Sequence, residues 1–163
     1  MAGNERVDGL TIAVTGGARG IGLATATLLH RRGATVVIGD LDEAEATAAA
    51  LQVGLAVAHH LDVTDAHSFA AFLDSVENDL GPVDVLVNNA GIIAVGPAVD
   101  EADAVTKQLL AVNAYGVMLG TKLAAERMLL RRRGHIINIA STSAVMPVPG
   151  IATYSATKHA VLG

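Results

Sequence analysis

The sequence contains no cysteine and no tryptophan, and only two tyrosines and two phenylalanines. The lack of cysteine excludes disulfide bonds, thiolate catalysis and cysteine-bound metal, and it is typical of a reducing compartment. Because aromatic rings are so few, the core must be filled by alanine, valine, leucine and isoleucine. Such small and branched side chains suit helices that pack closely on a parallel sheet.

The sequence also lacks a secretory signal, a membrane span and a strongly basic character. Its first ten residues, MAGNERVDGL, contain two acidic groups and no apolar run of the length that a signal needs. Glycines and polar residues interrupt the uncharged stretches, so no membrane-spanning helix is predicted. The net charge of −5 offers no basic surface for nucleic acid or for an acidic membrane. We therefore expect a cytoplasmic protein that binds neither.

Short β-branched runs alternate with longer helical segments, which indicates an α/β fold with a parallel sheet. The predicted strands are residues 10–15, 35–40, 55–61, 83–87 and 136–140. The predicted helices are residues 20–32, 42–52, 64–80, a long stretch within 103–133, and a last helix from about 153. Residues 1–163 are thus predicted to form one domain, a Rossmann-type doubly wound parallel sheet between two layers of helices.

Several side chains can be assigned to helix ends or to the core. Asp42 is a predicted helix cap, as is either Thr64 or Asp65. The first helix is predicted to turn three large residues inward: Ile21, Leu28 and Leu29. On the long helix, a further set suits either the core or a subunit contact: Ala111, Val117, Leu119, Leu123 and Met128.

The histidine pair His59-His60 lies in the predicted third strand. Neighbouring residues on a strand point to opposite faces of the sheet, so these two rings cannot bind one ion together. We expect no metal site there.

A glycine-rich turn joins the first strand to the first helix. It reads TGGARGIG and contains Gly16, Arg19, Gly20, Ile21 and Gly22. Without Cβ atoms, the backbone can turn tightly and let a pyrophosphate approach the free N–H groups at the helix start. In this position, at the opening of the first β-α unit, the turn predicts nucleotide binding.

Asp40 ends the second strand, where a carboxylate would meet the ribose of a bound adenosine. A carboxylate accepts hydrogen bonds from the two ribose hydroxyls and repels a 2′-phosphate, which favours NAD over NADP. Arg19 argues for NADP, because a cation in the loop suits a 2′-phosphate. No lysine or arginine follows Asp40 directly, so NAD is the predicted cofactor.

Tyr154 and Lys158 are four residues apart and lie on one face of the last helix. An ammonium group beside a phenol stabilises the phenolate, which makes such a pair a usable acid and base near neutral pH. Ser141 follows the fifth strand and could donate a hydrogen bond to a substrate oxygen. Taken alone, a Tyr-x-x-x-Lys pair is also common as a surface pair.

Together these motifs resemble the short-chain dehydrogenase/reductase family. The resemblance rests on the T-G-x-x-x-G-x-G turn, on Asn88-Asn89-Ala90-Gly91, and on the set Ser141, Tyr154 and Lys158, in the family's order from about residue 8 to the end. It implies an oxidoreductase that transfers hydride between a nicotinamide cofactor and a secondary alcohol or ketone. Tyr154 would be the general acid/base, Lys158 would assist it and hold the nicotinamide ribose, and Ser141 would orient the carbonyl.

The resemblance also assigns supporting residues. Asn113 would anchor a water in a proton relay, although a helical asparagine is often only bonded to backbone. Asp62 and Val63 would contact adenine, and Asn89 would pass beside the adenosine ribose. The apolar residues 145–151 would line a pocket for a hydrophobic alcohol or ketone, and relatives commonly form homodimers or homotetramers.

Relatives in this family continue beyond the Tyr-x-x-x-Lys helix, with further strands and a substrate-covering loop. From the resemblance we expect the chain to lack those last strands and part of the substrate pocket. The fifth strand would then be a sheet edge that exposes Ile136, Ile137 and Ile139. The alternative to an active oxidoreductase is therefore a truncated, non-catalytic fragment that still binds a nucleotide.

Overall fold

A sheet of five parallel strands forms the centre of the computed structural model, which describes residues 7–55 and 57–163. The strands are β1 (Thr11–Thr15), β2 (Thr35–Asp40), β3 (Val57–His60), β4 (Val85–Asn88) and β5 (His135–Asn138). They lie in the order β3-β2-β1-β4-β5, so the chain winds outward from β1 in both directions. The predicted doubly wound parallel sheet is confirmed. Ala56, inside the predicted third strand, and residues 1–6 lie outside the described residues.

The helices alternate with the strands as expected, and the three-layer arrangement follows from that order. They are α1 (Gly20–Arg31), α2 (Glu43–Val53), α3 (Ala66–Leu80), α4 (Asp103–Leu110), α5 (Gly116–Arg131) and α6 (Ala152–Leu162). The Asp42 carboxylate accepts from Glu45 N at 3.0 Å, and the Asp65 carboxylate accepts from His67 N at 2.8 Å. Both carboxylates therefore cap helices, and the choice between Thr64 and Asp65 falls to Asp65.

Two hydrophobic clusters, one on each face of the sheet, form the core. The first joins the sheet to α3 and α5 and includes Ala13, Val37, Phe69, Phe72 and Leu86. The second joins the sheet to α1 and α2 and includes Ile12, Val14, Val36, Ile38 and Ala46. Successive residues of β1 and β2 alternate between the two clusters, because the side chains of a strand point alternately to its two faces.

The expected inward face of α1 is partly wrong. Ile21 is 69% exposed and Leu28 is 50% exposed, whereas Leu29 packs against the core. The buried positions are Gly22 and Ala26, which lie on the same face as Leu29. The start of this face carries a glycine because a Cβ on Gly22 would meet the Gly16 carbonyl and the Asn89 side chain.

The long helical stretch is interrupted by one wide turn. Residues Ala111–Tyr115 form a π-helical turn between α4 and α5, and the backbone stays helical across it. Of the residues expected to serve as core or subunit contact, Val117, Leu119 and Met128 are buried within the chain. None of the helices in the described ranges is long and apolar enough to cross a bilayer.

Strand β5 lies at one edge of the sheet and is shorter than expected. It ends at Asn138, although Ile139 N still donates to Asn88 O at 2.9 Å. Ile137 is 47% exposed, as expected for an edge strand. Ile136 and Ile139 instead pack against the two core clusters, so the expected exposure of all three isoleucines is wrong. Alternation separates Ile136 from Ile137, because neighbouring strand residues point to opposite faces. Ile139 lies past the end of β5, where it packs against the second cluster.

Candidate active site

The glycine turn after β1 is packed so closely that side chains are excluded. Gly16 adopts a φ of +64°, and a Cβ placed there would lie 2.7 Å from the Cα of Ala90. A Cβ on Gly22 would collide with the carbonyl oxygen of Gly16 and would lie 2.6 Å from Asn89 Nδ2. The turn therefore requires glycine for the backbone contacts with the segment that follows β4.

The N-terminus of α1 has the features of an anion site. Arg19 is the cap residue, and within the described chain its side chain makes no capping hydrogen bond. Gly20 has a φ of +57°, and a Cβ built on it meets nothing within 4 Å. The positive end of the helix dipole is therefore not capped by the Arg19 side chain, which suits a pyrophosphate.

Asp40 lies beside this turn but is already engaged. Its carboxylate accepts from Ala18 N at 3.0 Å and from Asp42 N at 3.4 Å. The guanidinium of Arg19 is paired with the carboxylate of Glu45 on α2. Asp40, which favours NAD, and Arg19, which favours NADP, therefore have different partners. Asp40 lies at the turn, and Glu45 neutralises Arg19.

The segment after β4 is bonded to the end of β1 through Thr15, which the sequence reasoning did not single out. The Thr15 hydroxyl accepts from Asn89 N and from Ala90 N, both at 3.0 Å. Asn89 Nδ2 donates to the carbonyl oxygens of Thr15 and Gly16, also at 3.0 Å. Asn89 thus holds the backbone at the start of the glycine turn through two hydrogen bonds from its side-chain amide.

The two residues expected to contact adenine, Asp62 and Val63, follow β3 and make local contacts. The Asp62 carboxylate accepts from Thr64 N at 2.8 Å and from the Thr64 hydroxyl at 2.7 Å. Val63 is buried, and Gly116 approaches it so closely that a Cβ there would lie 3.0 Å from Val63 Cγ2. Asp62 therefore remains half-buried at the edge, while the Val63 side chain belongs to the core.

Asn113 lies in the π-helical turn and is fully buried. Its Oδ1 accepts from Ile92 N at 2.8 Å, and its Nδ2 donates to Ile92 O at 2.8 Å and to the Thr157 hydroxyl at 3.2 Å. The wide turn aims this amide at two other elements, a use for which single π-turns are known. Asn113 thus joins the segment after β4 to α6.

Lys158 and Tyr154 are brought together, as predicted. Lys158 Nζ lies 5.9 Å from the centre of the Tyr154 ring and donates to Ile139 O at 2.7 Å. Lys158 is only 4% exposed, and burial lowers its pKa from the ordinary value of 10.5. A Cβ on Gly91 would lie 3.3 Å from Asn113 Oδ1 and 3.6 Å from Lys158 Nζ, so the lysine and the asparagine approach the same point.

Ser141 lies on the same edge, at the start of a 3₁₀ turn (Thr142–Ala144). Its hydroxyl accepts from Ser143 N at 3.2 Å and from the Ser143 hydroxyl at 3.0 Å. In the described residues Ser141 is therefore bonded to Ser143 and not to Tyr154. A hydroxyl that accepts two hydrogen bonds keeps its own proton available for another acceptor.

The sequence reasoning missed a second buried amide near β5. Asn88 Nδ2 donates to Asn138 Oδ1 at 2.9 Å and to the Thr121 hydroxyl at 3.3 Å. It also missed Thr157, which donates to Tyr154 O at 2.7 Å and accepts from Asn113. Thr157 lies inside the Tyr-x-x-x-Lys motif, and a threonine at this spacing signals a bond to the preceding turn. The Ile139 carbonyl that binds Lys158 has no sequence signal.

The histidines show no metal-binding arrangement in the part of the chain that the structure describes. No group of three or more His, Cys, Asp or Glu side chains there could hold a metal ion. His59 instead packs edge to face against Phe72, with ring centres 6.2 Å apart.

Comparisons with known proteins agree on one family. A family model described as short chain dehydrogenase matches residues 10–163. Two relatives are 2-(S)-hydroxypropyl-CoM dehydrogenase 3 of Xanthobacter autotrophicus and cyclopentanol dehydrogenase of Comamonas sp. The first is 40% identical over 163 residues, covering 98% of this chain and 64% of that protein. The second is 36% identical over 160 residues, covering 96% and 64%.

A solved structure gives the same picture. A short chain dehydrogenase/reductase from Burkholderia phymatum, in complex with NAD, superposes with a TM-score of 0.92 at 30% identity. The match covers 96% of this chain and 58% of that one. The chain spans 64% of the length of each of the two curated relatives named above.

Proposed function

The chain belongs to the short-chain dehydrogenase family. We propose that it acts as an oxidoreductase that transfers hydride between NAD and the carbon of a secondary alcohol or ketone. The observation that carries this proposal is the buried lysine beside the Tyr154 ring, whose ammonium and the Asn113 amide both approach Gly91. A buried ammonium next to a phenol is an arrangement for acid-base chemistry at that phenol.

In the proposed reaction Tyr154 gives its proton to a ketone oxygen during reduction and takes it back during oxidation. Lys158 stabilises the phenolate by its charge, and the Ile139 carbonyl fixes the ammonium in place. Ser141 has a free hydroxyl proton to donate to the substrate oxygen, which would orient the carbonyl. Asn113 holds the Ile92 backbone and Thr157 around this group, and would anchor a water that passes protons to Lys158.

A nicotinamide dinucleotide, when bound, supplies or accepts the hydride. The residues fit such a group, because the glycine turn leads into a helix start that the Arg19 side chain does not cap, and such a start suits a pyrophosphate. The residues proposed to hold it are Gly16, Arg19, Gly20, Ile21, Gly22, Asp40, Asp62, Val63, Asn89, Tyr154 and Lys158.

We propose NAD rather than NADP from the charges beside the turn. The Asp40 carboxylate lies at the turn, bonded to Ala18 N, where it would repel a 2′-phosphate. Arg19, the cation that could bind such a phosphate, is paired with Glu45. Both features lower the affinity for a 2′-phosphate.

An apolar substrate is supported by the two loops that flank the catalytic group. The loops that follow β4 and β5 expose large apolar side chains: Ile92, Ile93, Val95, Val145, Met146 and Val148. The stretches 91–99 and 141–153 contain no charged residue. A hydrophobic alcohol or ketone would find apolar contacts here and no cation for an acidic group.

A homodimer or homotetramer is the proposed assembly. Apolar side chains stay exposed on α5, among them Met118 at 58% and Leu129 at 74%, which lie about three helical turns apart on one face. Exposed apolar patches of this kind mark contacts between subunits. Light scattering of the purified chain tests the assembly, and a monomer at all concentrations would contradict it.

The function is tested by pairing cofactor binding with turnover. The purified chain is titrated with NADH and with NADPH, and NAD reduction is followed with cyclic and linear secondary alcohols. We expect NADH to bind more tightly than NADPH and an apolar alcohol to be oxidised. Tyr154→Phe should lower turnover by about 10²-fold or more and change NADH affinity far less, because it alters only one of the groups proposed to hold the cofactor.

Two outcomes would decide against the proposal. Full turnover by Tyr154→Phe would exclude Tyr154 as the acid/base. NADH binding without turnover of any alcohol would favour the other candidate, a nucleotide-binding chain without activity of its own. The observation that favours that candidate is that the chain covers only 64% of the length of the two curated relatives.

A further inference from the structure

The loop before α4 is bonded at one point to the loop before α6 and at another to α6 itself. Gly96 N donates to Gly150 O at 2.8 Å. Further along, a carboxylate oxygen of Glu101 accepts from the Thr153 hydroxyl at 2.6 Å. Thr153 lies in the first turn of α6 and directly precedes Tyr154, so the second bond ends next to the proposed acid/base.

The same carboxylate oxygen of Glu101 also accepts from the Thr106 hydroxyl on α4, at 2.6 Å. These two hydroxyls, Thr106 more than Thr153, hold the pKa of Glu101 below its ordinary value of 4.5. The group is therefore ionised near neutral pH, and hydrogen bonds to an ionised acceptor are stronger than neutral ones. One half-buried carboxylate thus ties α4 to α6.

Helix capping does not account for this contact. Helix α4 begins after Ala102, which as an alanine has no side-chain capping group, and Glu101 bonds to side-chain hydroxyls rather than to first-turn N–H groups. Helix α6 begins after Ile151, whose side chain makes no capping hydrogen bond in the described structure. The first turn of α6 is therefore held by tertiary contacts, and a short helix without such contacts is marginal in water.

From this geometry we propose that Glu101 is a positioning residue, which fixes the first turn of α6 and so the Tyr154 phenol through the Thr153 hydroxyl. The inference rests on the proposed function, because it assigns Glu101 a role in the placement of the acid/base. Acid-base catalysis requires the phenol to lie within hydrogen-bond reach of the reacting oxygen. A misplacement of about 1 Å can cost about 10²-fold in rate.

Three threonine variants separate positioning from general packing. Thr153→Val keeps the shape of the side chain but removes the hydroxyl, and Thr153→Ser keeps the hydroxyl. Thr106→Val is the matched control, because it removes the other hydroxyl from the same carboxylate without touching α6. We expect Thr153→Val to lower kcat about tenfold with little change in KM for NAD, and Thr153→Ser to restore it. Thr106→Val should lower kcat less than Thr153→Val does, because the bond from Thr153 to Glu101 remains.

A double variant tests whether Glu101 and Thr153 act as one unit. Glu101→Ala and Thr153→Val, if they break the same bond, should together lower kcat no more than the more severe single variant does. Wild-type kcat in Thr153→Val would overturn the inference. Equal losses in Thr153→Val and Thr106→Val would also overturn it, because they would indicate packing alone.

A spectroscopic readout keeps this test apart from the test of the function. The chain has only two tyrosines, so labelling with fluorotyrosine gives two ¹⁹F signals, which Tyr115→Phe assigns. With or without turnover, Thr153→Val should shift or broaden the Tyr154 signal, and Thr106→Val should not. An unchanged Tyr154 signal in Thr153→Val would overturn the inference, while absence of turnover in the wild type would overturn only the proposed function.

Discussion

The glycine turn after β1 and the group around α6 lie on the same edge of the sheet but are built in opposite ways. The turn is made of backbone, and its contacts exclude even a methyl group at Gly16 and Gly22. The α6 group is made of side chains, where Asn113, Thr157 and Lys158 are almost fully buried and bonded to distant residues.

This difference teaches where each region is vulnerable. A binding site made of backbone N–H groups depends on the backbone conformation. A larger side chain that displaces the backbone therefore damages it. A buried polar network depends on every donor and acceptor, so removal of a single hydroxyl damages it. The two regions should therefore fail through different substitutions and in different assays.

The largest effect is expected from added volume in the turn. Gly22→Val would drive a side chain into the Gly16 carbonyl and Asn89, at a cost of about 3 kcal/mol in the free energy of unfolding. NADH binding should be lost with it. The matched control is Gly96→Ala, because a Cβ there meets nothing within 4 Å, and it should stay within about 0.5 kcal/mol. Denaturant unfolding measures the stability of the two variants, and NADH titration measures their cofactor affinity. Tight NADH binding by Gly22→Val would contradict the view that added volume damages the turn.

A smaller effect is expected from a lost hydroxyl in the buried network. Thr157→Val removes the acceptor of Asn113 Nδ2 and should cost about 1–2 kcal/mol in the free energy of unfolding. It should lower kcat while leaving NADH affinity near that of the wild type, and Thr157→Ser should recover both stability and kcat. If Thr157→Val weakens NADH binding as much as it weakens turnover, the two regions are not separable.

The pH profile of turnover sharpens the comparison further. Burial disfavours the charged form of Lys158, so its pKa is lowered from 10.5, and the ammonium is present below that lowered pKa and lost above it. Turnover should therefore decline as the pH rises through a value below 10.5. In Lys158→Arg, whose guanidinium stays charged, any remaining turnover should lack this decline. A wild-type profile that stays flat up to 10.5 would show that the charge of Lys158 is not needed.

The smallest effect is expected at the surface beside the turn. Glu45→Gln would release Arg19 from its partner, and the freed guanidinium could meet a 2′-phosphate. The pair is exposed, so the gain should be below about 1 kcal/mol, or roughly fivefold in the NADPH dissociation constant. Titrations at low and high salt test this, since screening should erase the difference. Unchanged NADPH affinity at low salt would mean that Arg19 does not face the ribose.

Much of the fold could be predicted because its signals are local. The β-α alternation gave the strand order along the chain, and the caps at Asp42 and Asp65 and the glycine turn are each encoded within a few residues. The inward face of α1 could not be predicted, since large residues normally face a core. The inward face carries Gly22 and Ala26 beside Leu29, and the room at Gly22 is limited by Gly16 and Asn89, which are contacts that no helical periodicity records.

The sequence by itself determined the order of elements, the glycine turn and the pairing of Tyr154 with Lys158, because each depends on neighbours along the chain. Only the tertiary structure decided that Lys158 binds the Ile139 carbonyl, that Asn113 reaches Thr157, and that Glu101 ties α4 to α6. Those bonds join residues on different elements, and no local periodicity records which hydroxyl or carbonyl will face which donor once the helices have packed on the sheet.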